Sequence, residues 1–138
     1  MNNILSAKLR VRSYELDSYG HVNNATYLQY LEFARFEYMK QVKIPTQTQE
    51  LINNYLFFVV NANLNFKGPA FLDDELEILG SVKKIGNTSF TLKQDIYNVV
   101  TKNHILNAEI TLVFIDNNGK PAPVPENFKN MFIPYMFV

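Results

Sequence analysis

The segment from Asp17 to Asn24, reading DSYGHVNN, holds the residues best suited to chemistry: a carboxylate, an imidazole and two carboxamides, followed at once by a long amphipathic stretch. A carboxylate is ionised at neutral pH and can attack an electrophile or take a proton from water. Backbone N–H groups at a helix start point outward unpaired, and the helix dipole adds to their pull on negative charge. The spacing from Asp17 to Asn24 puts both parts in one place. Gly20 lets a substrate or the chain itself approach closely. Taken on pattern alone, an aspartate before a helix also reads as a cap or surface residue, and His21 as a turn histidine bonded to the backbone.

Other chemistries lack their residues. There is no G-x-S-x-G elbow, no glycine-rich phosphate loop and no dinucleotide fingerprint. Two histidines, His21 and His104, are too few for an imidazole metal site, and the absence of cysteine removes disulfides, thiolate metal sites and a cysteine nucleophile. The 13 Lys and Arg balance the 13 Asp and Glu, with no basic block beyond Lys83–Lys84, which argues against nucleic acid as a partner. No apolar run has the length of a membrane span and residues 1–9 lack a signal-peptide pattern, so the cytoplasm is the expected location.

The elements that must position Asp17 are legible as periods. Tyr27, Tyr30, Leu31, Ala34, Tyr38 and Val42 recur every three or four residues and predict a helix with one buried face, capped by Asn23 or Asn24 and stopping before Pro45. Its other face carries Gln29, Glu32, Arg35, Glu37, Lys40 and Lys43, with Phe33 and Phe36 among them, which suggests cover by a partner. Glu32 and Arg35, three apart, are expected to pair on the surface.

Alternation predicts a strand over Lys8–Tyr14 with Leu9 and Val11 inward, and another over Phe58–Lys67 with Phe58, Val60, Ala62, Leu64 and Phe66 on one side. Thr46–Asn54 between them reads as a loop or short helical turn. Further strands follow at Glu75–Lys83, with Leu76, Ile78 and Val82 inward, and after a Gly86-Asn87 hairpin with Phe90, Leu92 and Ile96 inward. The last, His104–Ile115, has Leu106, Ala108, Ile110, Leu112 and Phe114 on one side. Pro121, Pro123 and Pro125 mark a turn or extended cover, and the apolar end is expected to pack on the body or on a neighbouring subunit. At 138 residues this is a single domain, 1–138, with its core at about 7–125 and an apolar tail at 126–138. One early helix and strands joined by short turns indicate an α+β fold, an antiparallel sheet wrapped around one long central helix.

The order Asp17, Gly20, His21, Val22, Asn23, Asn24, Tyr27, Tyr30, Leu31, Glu32 and Arg35 resembles the 4-hydroxybenzoyl-CoA thioesterase family of hotdog-fold acyl-CoA thioesterases. The resemblance implies the same hotdog architecture and an acyl-CoA thioesterase without metal or bound cofactor, coenzyme A being part of the substrate. It makes Asp17 the catalytic carboxylate, as nucleophile or as general base, and the amide of Asn24 the oxyanion donor. Gly20, His21, Val22, Asn23 and Tyr27 then border the substrate. Thr88 or Ser89, in the segment GNTSF, would line the site, or else simply begin a strand after a hairpin. Lys83 and Lys84 would meet nucleotide phosphates or stay exposed. The expected assembly is a homodimer or homotetramer. Two alternatives stand beside this reading: an acyl carrier protein thioester as substrate, or a module that binds acyl thioesters without turning them over.

Overall fold

The computed structural model describes residues 3–137. The helical period is realised in α1, Asn24–Gln41, which buries Tyr27, Tyr30, Leu31, Ala34 and Tyr38, and also Thr26 and Met39. Its end is set by Lys43, whose φ of 69° leaves helical geometry two residues before Pro45. A short helix, α2, spans Thr48–Asn54.

Five strands form one antiparallel sheet: β1 (Leu5–Arg10), β2 (Phe57–Phe66), β3 (Glu75–Ile85), β4 (Ser89–Asn98) and β5 (His104–Phe114). Their order across the sheet is β1-β3-β4-β5-β2, so β1 and β2 are the two edges. The inward residues of β3, β4 and β5 are those that alternation predicts, and they are buried. Gly86 N–H donates to Ser89 O at 2.7 Å and closes the β3–β4 hairpin. The sheet therefore wraps one central helix, the hotdog arrangement.

Three expectations need correction. The first strand lies at Leu5–Arg10 rather than Lys8–Tyr14, because the chain turns at Ser13–Glu15 into a single 3-10 turn. Val11 is buried as expected, but it follows the strand.

Alternation places Phe58, Val60, Ala62, Leu64 and Phe66 on one side of β2, and the strand does not keep them there. A register shift between Val59 and Asn61 makes Val60 an extra residue. Pairing with the inward residues Phe114, Leu112, Ile110, Ala108 and Leu106 puts Phe57, Val59, Ala62, Leu64 and Phe66 on the helix side. As an edge strand with a neighbour on one side only, β2 leaves most of these exposed.

The third correction concerns the end of the chain. Residues Glu126–Phe132 form a helix, α3, that drives Phe128 and Phe132 into the core. There they meet Phe90 at ring-centroid distances of 5.0 and 6.1 Å, beside Phe57 and Phe114. Beyond α3 the chain packs on the body: Phe137 N–H donates to Val82 O at 2.7 Å on the outer side of the sheet.

Candidate active site

Between β1 and α1 the chain folds into a tight loop. Leu16 bridges Val22, Asp17 N–H donates to His21 O at 2.7 Å, and Gly20 N–H donates to Asp17 O at 3.1 Å. Gly20 sits at φ +80°, in the left-handed region that glycine enters without the Cβ penalty. The Asp17 carboxylate accepts through Oδ1 from Tyr19 N–H (2.9 Å) and His21 N–H (3.1 Å). One oxygen is thus pinned by the loop. Its other oxygen has no hydrogen bond within the described residues, and the side chain is exposed.

The start of α1 comes next. Asn23 is the cap: its Oδ1 accepts from Ala25 N–H at 2.9 Å, and its carbonyl from Thr26 N–H at 2.9 Å. Asn23 N–H is itself taken by Glu15 O at 2.9 Å. With these donors engaged, Asn24 N–H is left without a hydrogen bond among the described residues at the helix end, where the dipole favours negative charge.

Glu15, absent from the residues singled out by motif, fixes this geometry. The side chain is buried. It accepts from Arg12 N–H (2.8 Å), from the Arg12 guanidinium (2.9 Å) and from Tyr30 Oη (2.8 Å). Burial alone would raise its pKa. The hydrogen bonds from Arg12 and Tyr30 outweigh that effect and hold the carboxyl below its usual range. An Arg and a Glu three apart immediately before the Asp17 loop were the available signal.

Asp17, His21, Val22, Asn24 and Tyr27 line one open cleft of about 350 Å³, closed on its far side by Phe66, Lys67, Gly68 and Pro69. The His21 ring stands edge-on to Phe71 with centroids 5.0 Å apart. Tyr27 is buried between Tyr30 and Phe66, and burial pushes its phenol up to about 12, so it stays a neutral hydroxyl. Gly20 and Asn23 shape the cleft through the loop and the helix cap rather than by lining it.

Thr88 and Ser89 do not join this cleft within the chain. They lie at the opposite end of the sheet, where Ser89 pairs with Val113 and Thr88 O accepts from Phe114 N–H at 2.9 Å. Lys83 is engaged with Glu109 at 2.7 Å. Arg35 does not pair with Glu32 across the helix surface. It turns inward and donates from Nη1 to Oε1 of the fully buried Gln94 at 3.1 Å, and burial lowers its pKa despite the attraction of Glu32.

That end of the molecule holds a second, larger cavity of about 590 Å³, between α1 at Glu32–Met39, the start of β2, and α3. Its floor is Phe90, Leu92 and Leu112, and its end wall is Phe128 and Phe132.

Comparison with known proteins agrees with this architecture. Residues 11–132 match the model of the thioesterase-like superfamily. Long-chain acyl-CoA thioesterase FadM of Escherichia coli K12 is 36% identical over 118 residues, covering 86% of this chain and 88% of that protein. The crystal structure of YbaW, a probable thioesterase from Escherichia coli, superposes with a TM-score of 0.79 at 31% identity, covering 96% of this chain and 99% of that one. A 4-hydroxybenzoyl-CoA thioesterase variant bound to 4-hydroxybenzoyl-CoA shares the fold, with a TM-score of 0.84 at 20% identity over 94% of this chain and 98% of that one. The chain belongs to the thioesterase-like superfamily, and the class that fold and family define is a hotdog-fold thioester hydrolase.

Proposed function

We propose that this protein hydrolyses an acyl-CoA thioester to the free acid and coenzyme A, with Asp17 and the Asn24 amide as its working groups. The observation that carries the reading is their meeting in one cleft: a carboxylate held through Oδ1 and a helix-start N–H, with Oδ2 and that N–H both lacking a partner among the described residues. The relatives' action on acyl-CoA supports the substrate class.

With the thioester carbonyl oxygen against Asn24 N–H, negative charge developing on that oxygen is met by the amide and the helix dipole. Two routes fit. Asp17 attacks the carbonyl carbon, the C–S bond breaks, coenzyme A leaves as thiolate and water then opens the mixed anhydride; or Asp17 takes a proton from a water that attacks the carbonyl carbon directly, and the C–S bond breaks to release the free acid and the coenzyme A thiolate. His21 and Tyr27 border the thioester in this reading, Gly20 and Asn23 hold the loop and cap, and neither metal nor bound cofactor takes part. The cytoplasmic location expected from the sequence goes with it.

The assembly in this reading is a two-fold dimer or a pair of such dimers. β2 presents a ten-residue free edge, Phe33 and Phe36 are 39% and 38% exposed on α1, and the Asp17 cleft opens beside that edge. A second copy related by a two-fold axis across β2 would bring its own Thr88 end of the sheet toward the cleft, so that Thr88 or Ser89 borders it from the partner subunit.

The test is a hydrolysis screen over acyl-CoAs differing in chain length and aromaticity, with acyl carrier protein thioesters alongside. Release of coenzyme A that depends on enzyme concentration is expected. Thioester binding without release would leave a binding module instead.

A further inference from the structure

Two carboxylates stand two residues apart before α1, in opposite surroundings. Asp17 is exposed and gives one oxygen to the N–H groups of Tyr19 and His21. Glu15 is only 8% exposed, and both of its oxygens are engaged. Its Oε1 accepts from Arg12 N–H and from Tyr30 Oη, each at 2.8 Å. Its Oε2 accepts from Arg12 Nη2 at 2.9 Å and from Arg12 Nε at 3.2 Å. A carboxylate has about four lone-pair sites, so these donors leave Glu15 nothing to offer a substrate or a water.

The places of those donors give the carboxylate another use. The Asp17 loop holds itself together through Asp17 N–H on His21 O, Gly20 N–H on Asp17 O and the Leu16–Val22 bridge, and Val22 N–H donates to Ala70 O. None of these bonds reaches α1. Among the described residues, the hydrogen bonds that join residues 12–22 to α1 and its cap both end on Glu15: its carbonyl accepts from Asn23 N–H, and its Oε1 from Tyr30 Oη. Tyr30 lies six residues beyond Asn24, about 9 Å further along the helix axis. A helix held at its start alone can tilt and turn about that point. A second hold, about 9 Å away, stops both motions.

We infer that Glu15 is a positioning residue of the site: it takes no part in the bond changes, and it sets the distance and angle between the Asp17 carboxylate and the Asn24 N–H. The inference rests on the reading of Asp17 and Asn24 as the working groups and divides the labour between the two carboxylates. An oxyanion donor stabilises developing charge only when it is already in place, and a displacement of about 1 Å costs up to about 10²-fold in rate. Loosening the clamp therefore lowers kcat and spares KM, because Glu15 does not touch the substrate.

The experiment measures kcat and KM, on an acyl-CoA that the wild type hydrolyses, for Glu15→Gln, Arg12→Ala, Arg12→Lys and Gly80→Ala, each well below its melting temperature. Glu15→Gln keeps the shape of the side chain but turns an amide NH2 toward a donor. Arg12→Ala removes the two guanidinium donors at an exposed side chain, while the Arg12 main-chain donor stays. Gly80→Ala strains β3 under the Tyr38 ring, beside Leu5 and away from the loop, and serves as the control for stability alone. Glu15→Gln and Arg12→Ala are expected to lose about 10–10²-fold in kcat with KM within about twofold of the wild type. Arg12→Lys, which returns the charge and a donor, should recover most of the lost rate, and Gly80→Ala should keep the wild-type kcat.

Unchanged kcat in Glu15→Gln and Arg12→Ala would overturn the inference. So would a rise in KM alone, or an equal loss of kcat in Gly80→Ala, which would leave Glu15 a part in stability only. If the wild type hydrolyses no acyl-CoA, it is the thioesterase reading that fails. The hold on the helix start is then judged by amide nuclear magnetic resonance: lost exchange protection at Asn23 and a shifted Asn24 signal in Glu15→Gln, but not in Gly80→Ala, sustain it, and unmoved signals overturn it.

Discussion

Tyr30 Oη donates to Glu15 Oε1 at 2.8 Å, a buried hydrogen bond that ties the first turns of α1 to the loop carrying Asp17. The Glu15 carbonyl also accepts from Asn23 N–H at 2.9 Å, so one residue holds both the helix start and the root of the loop. Removing the hydroxyl in Tyr30→Phe leaves a buried carboxylate short of a donor. The expected cost is about 1–3 kcal/mol in denaturant unfolding. A double-mutant cycle with Glu15→Gln should give a coupling of at least about 0.5 kcal/mol, and strict additivity would show that the contact carries no stability.

The pH dependence has a definite sign. The Glu15 and Asp95 carboxyls are both held below their usual values: burial opposes this, but hydrogen bonds from Arg12 and Tyr30 to Glu15, and from Lys93, Asn107 and His104 to Asp95, prevail. A carboxylate with a depressed folded-state pKa stabilises fully above its unfolded value of about 4 and loses that contribution as pH falls through the folded one. Melting temperature should therefore fall as pH drops below about 4, with a shallower fall in Glu15→Gln. Equal acid sensitivity of the two proteins would remove Glu15 from the account.

Gly80 lies on β3 under the ring of Tyr38, whose hydroxyl donates to Ile78 O at 2.9 Å. A Cβ at position 80 would stand 2.6 Å from the ring. Because that ring is buried and anchored, Gly80→Ala is expected to destabilise the fold by about 1–3 kcal/mol through overpacking. A melting temperature at or above that of the wild type would show that Tyr38 can give way.

Asp17→Asn tests the proposed chemistry. The amide keeps an oxygen for the N–H groups of Tyr19 and His21, so the loop should persist. Turnover is expected to drop by about 10²–10⁴, a barrier increase of roughly 3–5 kcal/mol, with the melting temperature and substrate binding little changed. If Asp17 only caps the loop, the cost appears as about 1 kcal/mol of stability with turnover intact.

Sedimentation velocity at assay concentration is expected to give at least a dimer, whose two-fold interface of ordinary size would bury about 1,600 Å² in total. Phe58→Lys and Val60→Lys place charges on the exposed edge strand and should shift the protein toward monomer. A fully active wild-type monomer would remove the dimer from the reading.

Chelator treatment should leave hydrolysis unchanged, since the proposed steps use only Asp17, the Asn24 amide and water. Activity lost with chelator and restored by one divalent ion would overturn that mechanism.

Much of this molecule is determined by local pattern. Tyr27, Tyr30, Leu31, Ala34 and Tyr38 recur at the helical period, and β3, β4 and β5 alternate cleanly because each is buried on one side. The Asp17–Asn24 loop was legible for the same reason, its turn, glycine and cap all lying within eight residues. What depended on distant neighbours was not legible. β2 has the cleanest alternation in the chain, yet one extra residue at Val60 and a place at the sheet edge leave most of its apolar residues uncovered. Arg35 looks like a surface partner for Glu32 until Gln94, fifty-nine residues on, offers a buried carbonyl. The α3 residues Phe128 and Phe132 acquire a role only because Phe57, Phe90 and Phe114 come together from three strands. Periodicity reports which side of an element is apolar; only the packed chain decides what, if anything, covers it.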